Sequence, residues 1–394
     1  DLGKEVFSMF LTENALDFSV FPSLLRFERE LTAMLAGHLN GDGNVVGNFT
    51  SGGTESIIQA VKSARDYARI HKPEITAPEM VLPVTGHAAF HKAAHYLGIK
   101  VVPAAVDSRT FKADVNAVRK AISPNTILIV GSAPSYAHGV IDPMGELGEI
   151  ALENGLFLHA DACVGGFMLP YFKQLGEAVP DFDFSVPGVT SISVDLHKYA
   201  YTPKGASLVL YRDKGIRKHQ IFACSHWTGY TMINNAVQSS RSGGPMAAAW
   251  AVLNYIGHEG YLELARKKLE ATRKIVKGIK ENKDLRLMAE PEFCMLSFTS
   301  DRVNIFHVID EMNARGWYIQ PALRFENSKE NIHLSINVSN VQWADQLVAD
   351  LNECVDKAKS IQTTGDLARM VQEGFGEIDP STLTDDTISQ SVSY

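Results

Sequence analysis

Short apolar runs, each followed by a helical pattern, constrain the fold of this chain most strongly. The runs are Met80–Val84, Val101–Val106, Ile127–Val130, Leu156–Leu158 and Leu208–Tyr211. They are continuous rather than alternating, which is expected for strands that are buried on both faces and is typical of a parallel sheet. The stretch ESIIQAVKSARDYARI places apolar residues on one helical face, namely Ile57, Ile58, Val61, Ala64 and Ala68. The pattern predicts a layered α/β domain.

The rest of the 394-residue chain differs from this region in pattern. A chain of this length can form two domains and bury a substantial core. A long helical pattern near 246–282 indicates a connection, after which strand and helix patterns alternate on a smaller scale. We therefore predict an N-terminal arm, a large domain, a smaller C-terminal α/β domain and a polar surface tail, at 1–48, 49–282, 283–362 and 363–394 respectively.

Charge and composition exclude several classes of protein. The formal net charge is -8, and no stretch has the basic density that binding to nucleic acid requires. No run of about 18 apolar residues exists, so we expect no membrane-spanning helix. The chain begins at Asp1 rather than Met, so any N-terminal membrane anchor would lie outside it. The four cysteines form no CxxC pair, which favours a reducing compartment, and we expect a cytoplasmic protein.

The stretch TSGGTES, at 50–56, stands directly before the amphipathic helix. Backbone N–H groups of Gly53 and Thr54 would point out of the helix N-terminus, with hydroxyl groups of Ser51 and Thr54 beside them. Such an arrangement suits an anion, and a phosphate best. The alternative is an ordinary helix start after a glycine turn. No GxxxxGK[ST] pattern occurs, so a mononucleotide P-loop is not the explanation.

Two further stretches place chemically active side chains beside predicted elements. In LFLHADACVGGF, an apolar strand ends in His159 and Asp161. A carboxylate at the carboxyl end of a buried parallel strand lies where open α/β sheets bind ligands, although it could also be an ordinary helix cap. In GHAAFHKAAHYLG, His87, His91 and His95 are four residues apart. Residues at this spacing share a helix face, but no carboxylate or cysteine partner lies at a familiar spacing, so we predict no metal.

The stretch SVDLHKYAYTPKG places His197 and Lys198 at the end of an apolar run, with Lys204 six residues later. A solvated loop is the alternative for this stretch alone. A phosphate cradle, a strand-end carboxylate, a histidine at a helix start and a lysine at a strand end are together what pyridoxal 5'-phosphate requires. The lysine amine would form a Schiff base with the cofactor aldehyde, and the carboxylate of Asp161 would keep the pyridine nitrogen protonated. His87 could stack on the ring.

Six blocks in the same order carry a resemblance to a known family. They are TSGGTES, GHAAFHKAA, HGVIDP, HADACVGGF, SVDLHKYAYTPKGASLVLYRD and SSRSGG. The chain resembles the sphingosine-1-phosphate lyase family over nearly its whole length. That family belongs to the fold-type-I pyridoxal phosphate enzymes and is close to the group II amino-acid decarboxylases. The resemblance implies a large domain with a mainly parallel sheet and a smaller C-terminal α/β domain.

The resemblance also implies roles for individual residues of the cofactor site. Lys198 matches the Schiff-base lysine, and His197 matches a histidine that helps to hold the cofactor phosphate. Asp161 matches the aspartate on the pyridine nitrogen, and His87 matches the stacking histidine. The phosphate-binding turn corresponds to residues 53 and 54. Ser240 matches a serine that reaches the cofactor phosphate from the partner subunit, which implies a homodimer with shared active sites.

Residues on the substrate side follow from the same resemblance. Lys204 matches a second lysine near the phosphate of the substrate, and Tyr199 is expected to line the same entrance. His138 belongs to the HGVIDP block, which lies near the substrate in the family. The family usually carries an Asn-Pro-Leu-His tetrad on an arm that enters the site, where this chain has Asn14, alanine, leucine and Asp17.

These departures bear on the substrate rather than on the fold or the cofactor. The familiar SRPGG is SRSGG here, with Ser242 in place of proline. A carboxylate at Asp17 would oppose a substrate phosphate held beside it. We therefore expect either weak binding of sphingosine 1-phosphate or a substrate whose anionic group is smaller or differently placed.

Three functions remain open from the sequence. The leading hypothesis is a lyase that cleaves a carbon–carbon bond of a phosphorylated sphingoid base to give a fatty aldehyde and phosphoethanolamine, with Lys198, Lys204 or a nearby tyrosine as the base. The second is decarboxylation of an amino acid, whose carboxylate Arg241 or Lys204 could bind. The third is a binding protein without cofactor, which failure to bind pyridoxal phosphate would favour.

Overall fold

The computed structural model describes residues 1–361, so the predicted tail lies outside the described residues. The helices are α1 Leu2–Met9, α2 Pro22–His38, α3 Gly53–His71, α4 Ala89–Leu97, α5 Val115–Ala121, α6 Met144–Asn154, α7 Leu169–Gln174, α8 Leu196–Tyr199, α9 Lys214–Arg217, α10 Gly244–Glu281, α11 Ile305–Ala314 and α12 Ala344–Ala358. The strands are β1 Val46–Thr50, β2 Glu79–Pro83, β3 Lys100–Ala104, β4 Thr126–Ser132, β5 Phe157–Asp161, β6 Val189–Asp195, β7 Ser207–Tyr211, β8 Phe222–Cys224, β9 Met232–Asn234, β10 Arg286–Leu287, β11 Met295–Thr299, β12 Gln320–Ala322 and β13 Asn331–Ser335.

The largest sheet has seven strands in the order β1-β7-β6-β5-β4-β2-β3. Strand β7 is antiparallel to both of its neighbours, and the contacts from β6 to β3 are parallel. The prediction of an α/β domain with a mainly parallel sheet is therefore confirmed. Because β1, β4, β5 and β6 run in one direction, their carboxyl ends lie along one edge. The register there places Ser132 opposite Asp161 and Asp161 opposite Ser193.

The predicted apolar runs all form strands of this sheet, namely β2, β3, β4, β5 and β7. Burial on both faces holds for β2, β4 and β7, whose residues are all buried. It does not hold for β3, which is partly exposed because it pairs only with β2 at the edge of the sheet. Strands β1 and β6 have no continuous apolar run in VGNFT and VTSISVD. The apolar runs therefore did not predict β1, and β6 was expected only as the strand that ends before Lys198.

Helix α3 packs on the sheet through the face that the sequence predicts. Four residues of that face are buried, and Ile58 is partly buried against the same core. They pack with apolar residues of β2, β4 and α4, including Met80, Leu82, Phe90 and Val130. This packing fixes the start of α3 beside the carboxyl edge of the sheet.

The chain divides into two compact units. Among the described residues, the first comprises 1–107, 112–136 and 140–266, and the second comprises 108–111, 137–139 and 267–361. The second unit contains a four-stranded antiparallel sheet in the order β10-β11-β13-β12. Helix α10 has a break at Gly257, where φ is 63°. The domain boundaries given above remain predictions.

Within residues 1–361, no helix combines the length and the apolar character that crossing a membrane would demand.

Candidate active site

A pocket of about 400 Å³ opens in the first unit among residues that follow the strand ends. The predicted site residues that line it are Gly53, Thr54, His87, Asp161, His197 and Lys198. These residues come from four separate stretches of the sequence. The sheet brings them together because each stretch lies at, or just after, the carboxyl end of one of the strands that run in the same direction.

The start of α3 forms one wall of this pocket. Its N-cap is Gly52, and no side chain of the described residues caps it. Hydroxyl groups hold the turn in place, since Thr50 Oγ1 lies 2.6 Å from Ser56 Oγ, which lies 2.9 Å from Ser207 Oγ. The first backbone N–H groups of a helix carry the positive end of its dipole and suit a phosphate.

Gly53 occupies a position that tolerates only glycine without rearrangement. A Cβ atom there would lie 2.7 Å from Cys163 Sγ and 2.9 Å from each carboxylate oxygen of Asp195. Side-chain atoms do not approach this closely, so any larger residue would displace the thiol or the carboxylate. The glycine thus allows the phosphate turn to lie directly against the residues that hold Lys198.

Lys198 lies in α8, three residues after the end of β6, and pairs with the last residue of that strand. Its Nζ is 2.9 Å from Oδ2 of Asp195, which is only 2% exposed. Burial alone would lower the pKa of Lys198, but the Asp195 carboxylate and the nearby Cys163 outweigh it and raise the pKa above its usual value. The amine is therefore protonated here and must lose a proton before it can act as a nucleophile.

His197 is held in one tautomer by the backbone. The N–H of Ala206 donates to His197 Nδ1 over 3.1 Å, so the ring proton is assigned to Nε2. Nε2 lies 3.6 Å from Asp195 Oδ2, and burial lowers the pKa of His197. The ring is thus neutral near pH 7 and offers one N–H donor beside the phosphate turn.

Asp161 ends β5 and is 7% exposed. Its Oδ1 accepts the N–H of Cys163 at 3.2 Å and a long contact of 3.5 Å from the Ser193 hydroxyl. Two residues earlier in β5 lies His159. Its Nδ1 is 2.8 Å from Ser191 Oγ, and its Nε2 is 3.1 Å from Ser193 Oγ. Burial lowers the pKa of His159 to about 3, so this histidine is neutral and acts as a hydrogen-bonded core residue.

His87 lies two residues before α4 at the mouth of the pocket and is exposed. The N–H of Ala89 donates to its Nδ1 at 3.1 Å, which leaves the proton on Nε2. His91 and His95 are exposed on α4. Among residues 1–361, no group of three or more metal-binding side chains is close enough to hold an ion.

Three predicted residues come together away from the pocket. Asn14 forms an antiparallel bridge with Ser242, and the N–H of Ala15 donates to the carbonyl of Arg241 at 2.8 Å. Asn14 Oδ1 accepts the N–H of Arg241 at 3.3 Å, and its Nδ2 donates to Ser240 Oγ at 3.4 Å. The arm thus pairs with the SSRSGG block of its own chain.

Asp17 caps a turn in this arm. Its Oδ1 accepts the N–H groups of Ser19 and Val20 at 3.0 and 3.2 Å, together with the Ser19 hydroxyl. The hydrogen bonds from Ser19 and Val20 lower the pKa of Asp17, so the acid is ionised at neutral pH.

Tyr199 follows Lys198 directly and Lys204 lies six residues after it, but neither side chain lines the pocket. Lys204 is exposed and its Nζ donates to the carbonyl of His197 at 3.1 Å, while Tyr199 is buried. In the described chain, neither these two residues nor Asn14, Asp17, Ser240 and Arg241 line the pocket.

His138 belongs to the second unit. Its ring stacks on Phe111 with 3.9 Å between centroids, and its Nε2 lies 3.1 Å from Ser328 Oγ. Burial lowers the pKa of His138 to about 4, so the ring is neutral.

Asp195 and Cys163 were not predicted from the sequence, although both line the pocket. The signal for Asp195 was present, because it is a carboxylate at the carboxyl end of a buried strand, as Asp161 is. The same rule that selects Asp161 would have selected it.

The residues present fit pyridoxal 5'-phosphate. The uncapped start of α3 offers N–H donors for a phosphate, and Lys198 offers an amine in the same pocket. Oδ2 of Asp161 has no hydrogen-bond partner among the described residues, so it can accept from a protonated ring nitrogen. His87, at the mouth, can cover a ring face.

Comparisons with known proteins agree with this site. Residues 9–301 match the pyridoxal-dependent decarboxylase conserved domain. The chain is 46% identical to a sphingosine-1-phosphate lyase of Arabidopsis thaliana over 93% of its own length and 68% of that protein. It spans only 64 to 66% of several other relatives that bear the same name. It is also 34% identical to a probable L-tyrosine/L-aspartate decarboxylase of Methanothermobacter thermautotrophicus, over 82% of this chain and 88% of that protein.

Among solved structures, the chain is similar to a sphingosine-1-phosphate lyase of Burkholderia pseudomallei. The TM-score is 0.87 and the identity 38%, over 91% of this chain and 82% of that one. The predicted fold-type-I architecture, the resemblance read from the sequence and the predicted cofactor, pyridoxal 5'-phosphate, are confirmed. The chain belongs to the sphingosine-1-phosphate lyase family within the pyridoxal-dependent decarboxylases.

Proposed function

We propose that this chain is a carbon–carbon lyase that cleaves a phosphorylated long-chain amino alcohol, such as sphingosine 1-phosphate, to a fatty aldehyde and phosphoethanolamine. The observation that carries the proposal is one pocket that holds Lys198, Asp161 and the start of α3 in a chain 46% identical to a lyase of that name.

Lys198 is the residue that would bind the cofactor aldehyde, with Asp161 on the ring nitrogen and His87 on the ring face. The backbone of Gly53 and Thr54 and the Nε2–H of His197 would hold the phosphate. When bound, pyridoxal 5'-phosphate supplies an electron sink for the negative charge left on the substrate carbon. The carboxylate of Asp161 supports this role because an ionised acceptor stabilises a protonated nitrogen.

On the substrate side, cleavage requires removal of a proton from the C3 hydroxyl of the amino alcohol. Lys198, once it is released by the incoming substrate amine, can accept that proton, and Lys204 or a nearby tyrosine are the alternatives. Lys204 is exposed and its ammonium group contacts only a carbonyl within the described residues. It is therefore available to a substrate phosphate. We assign Asn14, Asp17, Tyr199 and His138 to the same substrate side on the resemblance alone.

We further propose a homodimer whose sites are shared through Ser240. The hairpin β8–β9 and the segment after it expose apolar side chains, namely Phe222, Trp227, Tyr230, Ile233 and Val237, each 52 to 67% exposed. Exposed apolar patches of this kind mark interaction surfaces. Ser240 is exposed three residues after the patch and does not line the pocket of its own chain. A second copy that binds this surface would place that hydroxyl at its own active site.

We also propose a cytoplasmic location for the protein, and cell fractionation would test it.

The second candidate function is decarboxylation of an amino acid. The archaeal decarboxylase relative favours it, because this chain covers most of that protein. Arg241 could bind the substrate carboxylate. Burial lowers the pKa of Arg241, with Glu28 and Glu55 opposing the shift, but a guanidinium stays charged at neutral pH.

A product assay separates the two functions. Purified protein with pyridoxal 5'-phosphate is offered a phosphorylated sphingoid base, and in parallel L-tyrosine and L-aspartate, while aldehyde and carbon dioxide are both measured. We expect aldehyde from the sphingoid base and no carbon dioxide from the amino acids, and the aldehyde should be lost in Lys198→Ala. Carbon dioxide release without aldehyde would replace the lyase by the decarboxylase.

A further inference from the structure

The carboxylate of Glu55 joins two segments that the proposed function assigns to different active sites. Glu55 is the third residue of α3 and is 8% exposed. Its Oε2 accepts the N–H of Ser51 at 2.8 Å and the Ser51 hydroxyl at 2.6 Å. Its Oε1 accepts the N–H of Val237 at 2.8 Å. One buried side chain therefore ties the phosphate turn to a segment 182 residues away.

The distant segment, residues 234–241, is here called the serine loop because it carries Ser240. Its own side chains hold it together. Asn234 Oδ1 accepts the N–H of Ala236 at 3.0 Å, and Asn234 Nδ2 donates to the carbonyl of Gln238 at 3.1 Å. Arg241 donates to Asn235 Oδ1 at 3.4 Å. A displacement at Val237 therefore reaches Ser240 through a turn that is internally bonded.

We propose that Glu55 is a positioning residue that couples occupancy of the phosphate turn in one subunit to the serine loop that the same subunit presents to its partner. This inference rests on the proposed function, since it needs the phosphate at Gly53 and Thr54 and Ser240 at the site of the partner subunit. A phosphate that binds the first N–H groups of α3 contacts the backbone of Gly53 and Thr54 and thereby fixes the position of Glu55, the next residue of the helix. Through Glu55 it orders the serine loop and thereby completes the second site.

The charge of Glu55 is part of this arrangement. Three donors converge on its two oxygens, and a carboxylate can accept from all of them. An amide of the same size has one acceptor oxygen, and its NH₂ group would face an N–H donor on the other side. Glu55→Gln therefore keeps the volume but can hold only one of the two segments.

By linkage, a coupling of this kind is reciprocal: the cofactor tightens the dimer to the same extent that the dimer tightens cofactor binding. The coupling therefore has two readouts that do not depend on turnover. One is hydrogen exchange at the Val237 amide, and the other is the dimer dissociation constant with and without cofactor.

The test uses full-length apoprotein with pyridoxal 5'-phosphate or with inorganic phosphate as probes. In the wild type we expect either probe to slow exchange of the Val237 amide, and the cofactor to lower the dimer dissociation constant in sedimentation runs. In Glu55→Gln neither probe should change exchange of the Val237 amide, because one acceptor oxygen cannot hold both segments. Where that oxygen stays on Ser51, the amide should also exchange about 10- to 100-fold faster, as expected for loss of a charge-assisted hydrogen bond.

A matched control is Glu79→Gln, because Glu79 is also 8% exposed and also holds two partners, Lys100 at 2.9 Å and Ser123 at 2.6 Å, away from the pocket. It should behave as the wild type does. Wild-type exchange at Val237 that neither probe changes would overturn the coupling, whether or not the Glu55 variant folds. So would a Glu55→Gln protein whose cofactor dependence equals that of the wild type.

Borohydride trapping of the cofactor separates this failure from failure of the proposed function. A trapped cofactor on Lys198 together with unchanged Val237 exchange would reject the coupling and leave the function standing. Failure to trap any cofactor on Lys198 would reject both.

Discussion

Replacing Asp195 by asparagine should shift the reaction of Lys198 with the cofactor to lower pH. The two side chains form an ion pair of 2.9 Å, and Asp195 is 2% exposed. Asparagine keeps the shape and an acceptor oxygen but removes the charge that raises the pKa of Lys198. Since only the neutral amine attacks the aldehyde, a lower pKa makes more of the reactive form available at a given pH.

The size of the shift follows from the geometry of the pair. Coulomb's law at an effective dielectric of 20 gives about 6 kcal/mol for charges 2.9 Å apart, which is an upper limit. The Lys198 side chain is 34% exposed, so solvent screens much of this. A charge-assisted hydrogen bond contributes about 1.5 to 3 kcal/mol. At about 1.4 kcal/mol per pKa unit, the pKa of Lys198 should fall by about one to two units.

The assay mixes apoprotein with pyridoxal 5'-phosphate and follows the visible absorbance of the Lys198 adduct from neutral to alkaline pH. The midpoint of the rate profile should move down by about one to two units in Asp195→Asn. A midpoint that stays in place, or moves up, would refute the assignment of Asp195 as the group that holds the proton on Lys198.

The pH dependence of the free energy of unfolding gives a second measure of the ion pair between Lys198 and Asp195. Folding raises the pKa of Lys198, so the pair contributes fully below the unfolded pKa of about 10.4 and its contribution is lost as pH rises through the folded pKa. The free energy of unfolding of the wild type should therefore fall more steeply than that of Asp195→Asn at strongly alkaline pH.

Three further predictions concern single residues of the pocket. Lys198→Ala should abolish the trapped cofactor adduct in mass spectrometry while Lys204→Ala retains it, and the reverse result would exchange their roles. Asp161→Asn should keep the fold by circular dichroism but reduce turnover by about one to two decades, as expected for loss of a charge-assisted hydrogen bond; turnover within about twofold of wild type would count against its role. Gly53→Ala should lower the free energy of unfolding by about 1 to 3 kcal/mol in urea titrations because its Cβ would lie 2.7 Å from a sulfur. Gly37→Ala, in a helix with nothing within 4 Å, is the control and should be neutral or stabilising.

The strands that could be predicted are those whose burial shows in a local apolar run. Strand β1 could not, and β6 was expected only from its end before Lys198, because the buried polar residues of both strands are satisfied by distant partners. Asn48 of β1 donates to Glu28 and accepts from Arg217, and Ser191 of β6 bonds to His159. Such partners are set by the tertiary structure, and neither the strand period of two residues nor the helix period of 3.6 residues predicts them.

The site residues also divide into those that the sequence could predict and those that it could not. Residues beside the strand ends, such as Asp161 and Lys198, could be placed from topology alone because parallel strands end at one edge. The pairing of Asn14 with Ser240 spans 226 residues, so neither stretch indicates the other. The prediction that Asp17 opposes a substrate phosphate stays open, since in the described chain its carboxylate accepts the N–H groups of Ser19 and Val20.

The pocket contains three carboxylates, Glu55, Asp161 and Asp195, which would repel an anionic cofactor unless their charges are balanced. Glu55 accepts three hydrogen bonds, and Asp195 pairs with Lys198 through Oδ2, while its Oδ1 is buried without a hydrogen-bond partner among the described residues. Asp161 accepts through Oδ1 only, from a backbone N–H and a distant hydroxyl, and no cation of the described chain pairs with it. Of the three, only Asp161 combines an oxygen without a hydrogen bond with the absence of an ion pair in the described chain. The nitrogen of a pyridine ring, stabilised in its protonated form by that carboxylate, would supply the missing positive charge. Charge balance therefore supports the proposal that Asp161 is the carboxylate that would hold the ring nitrogen.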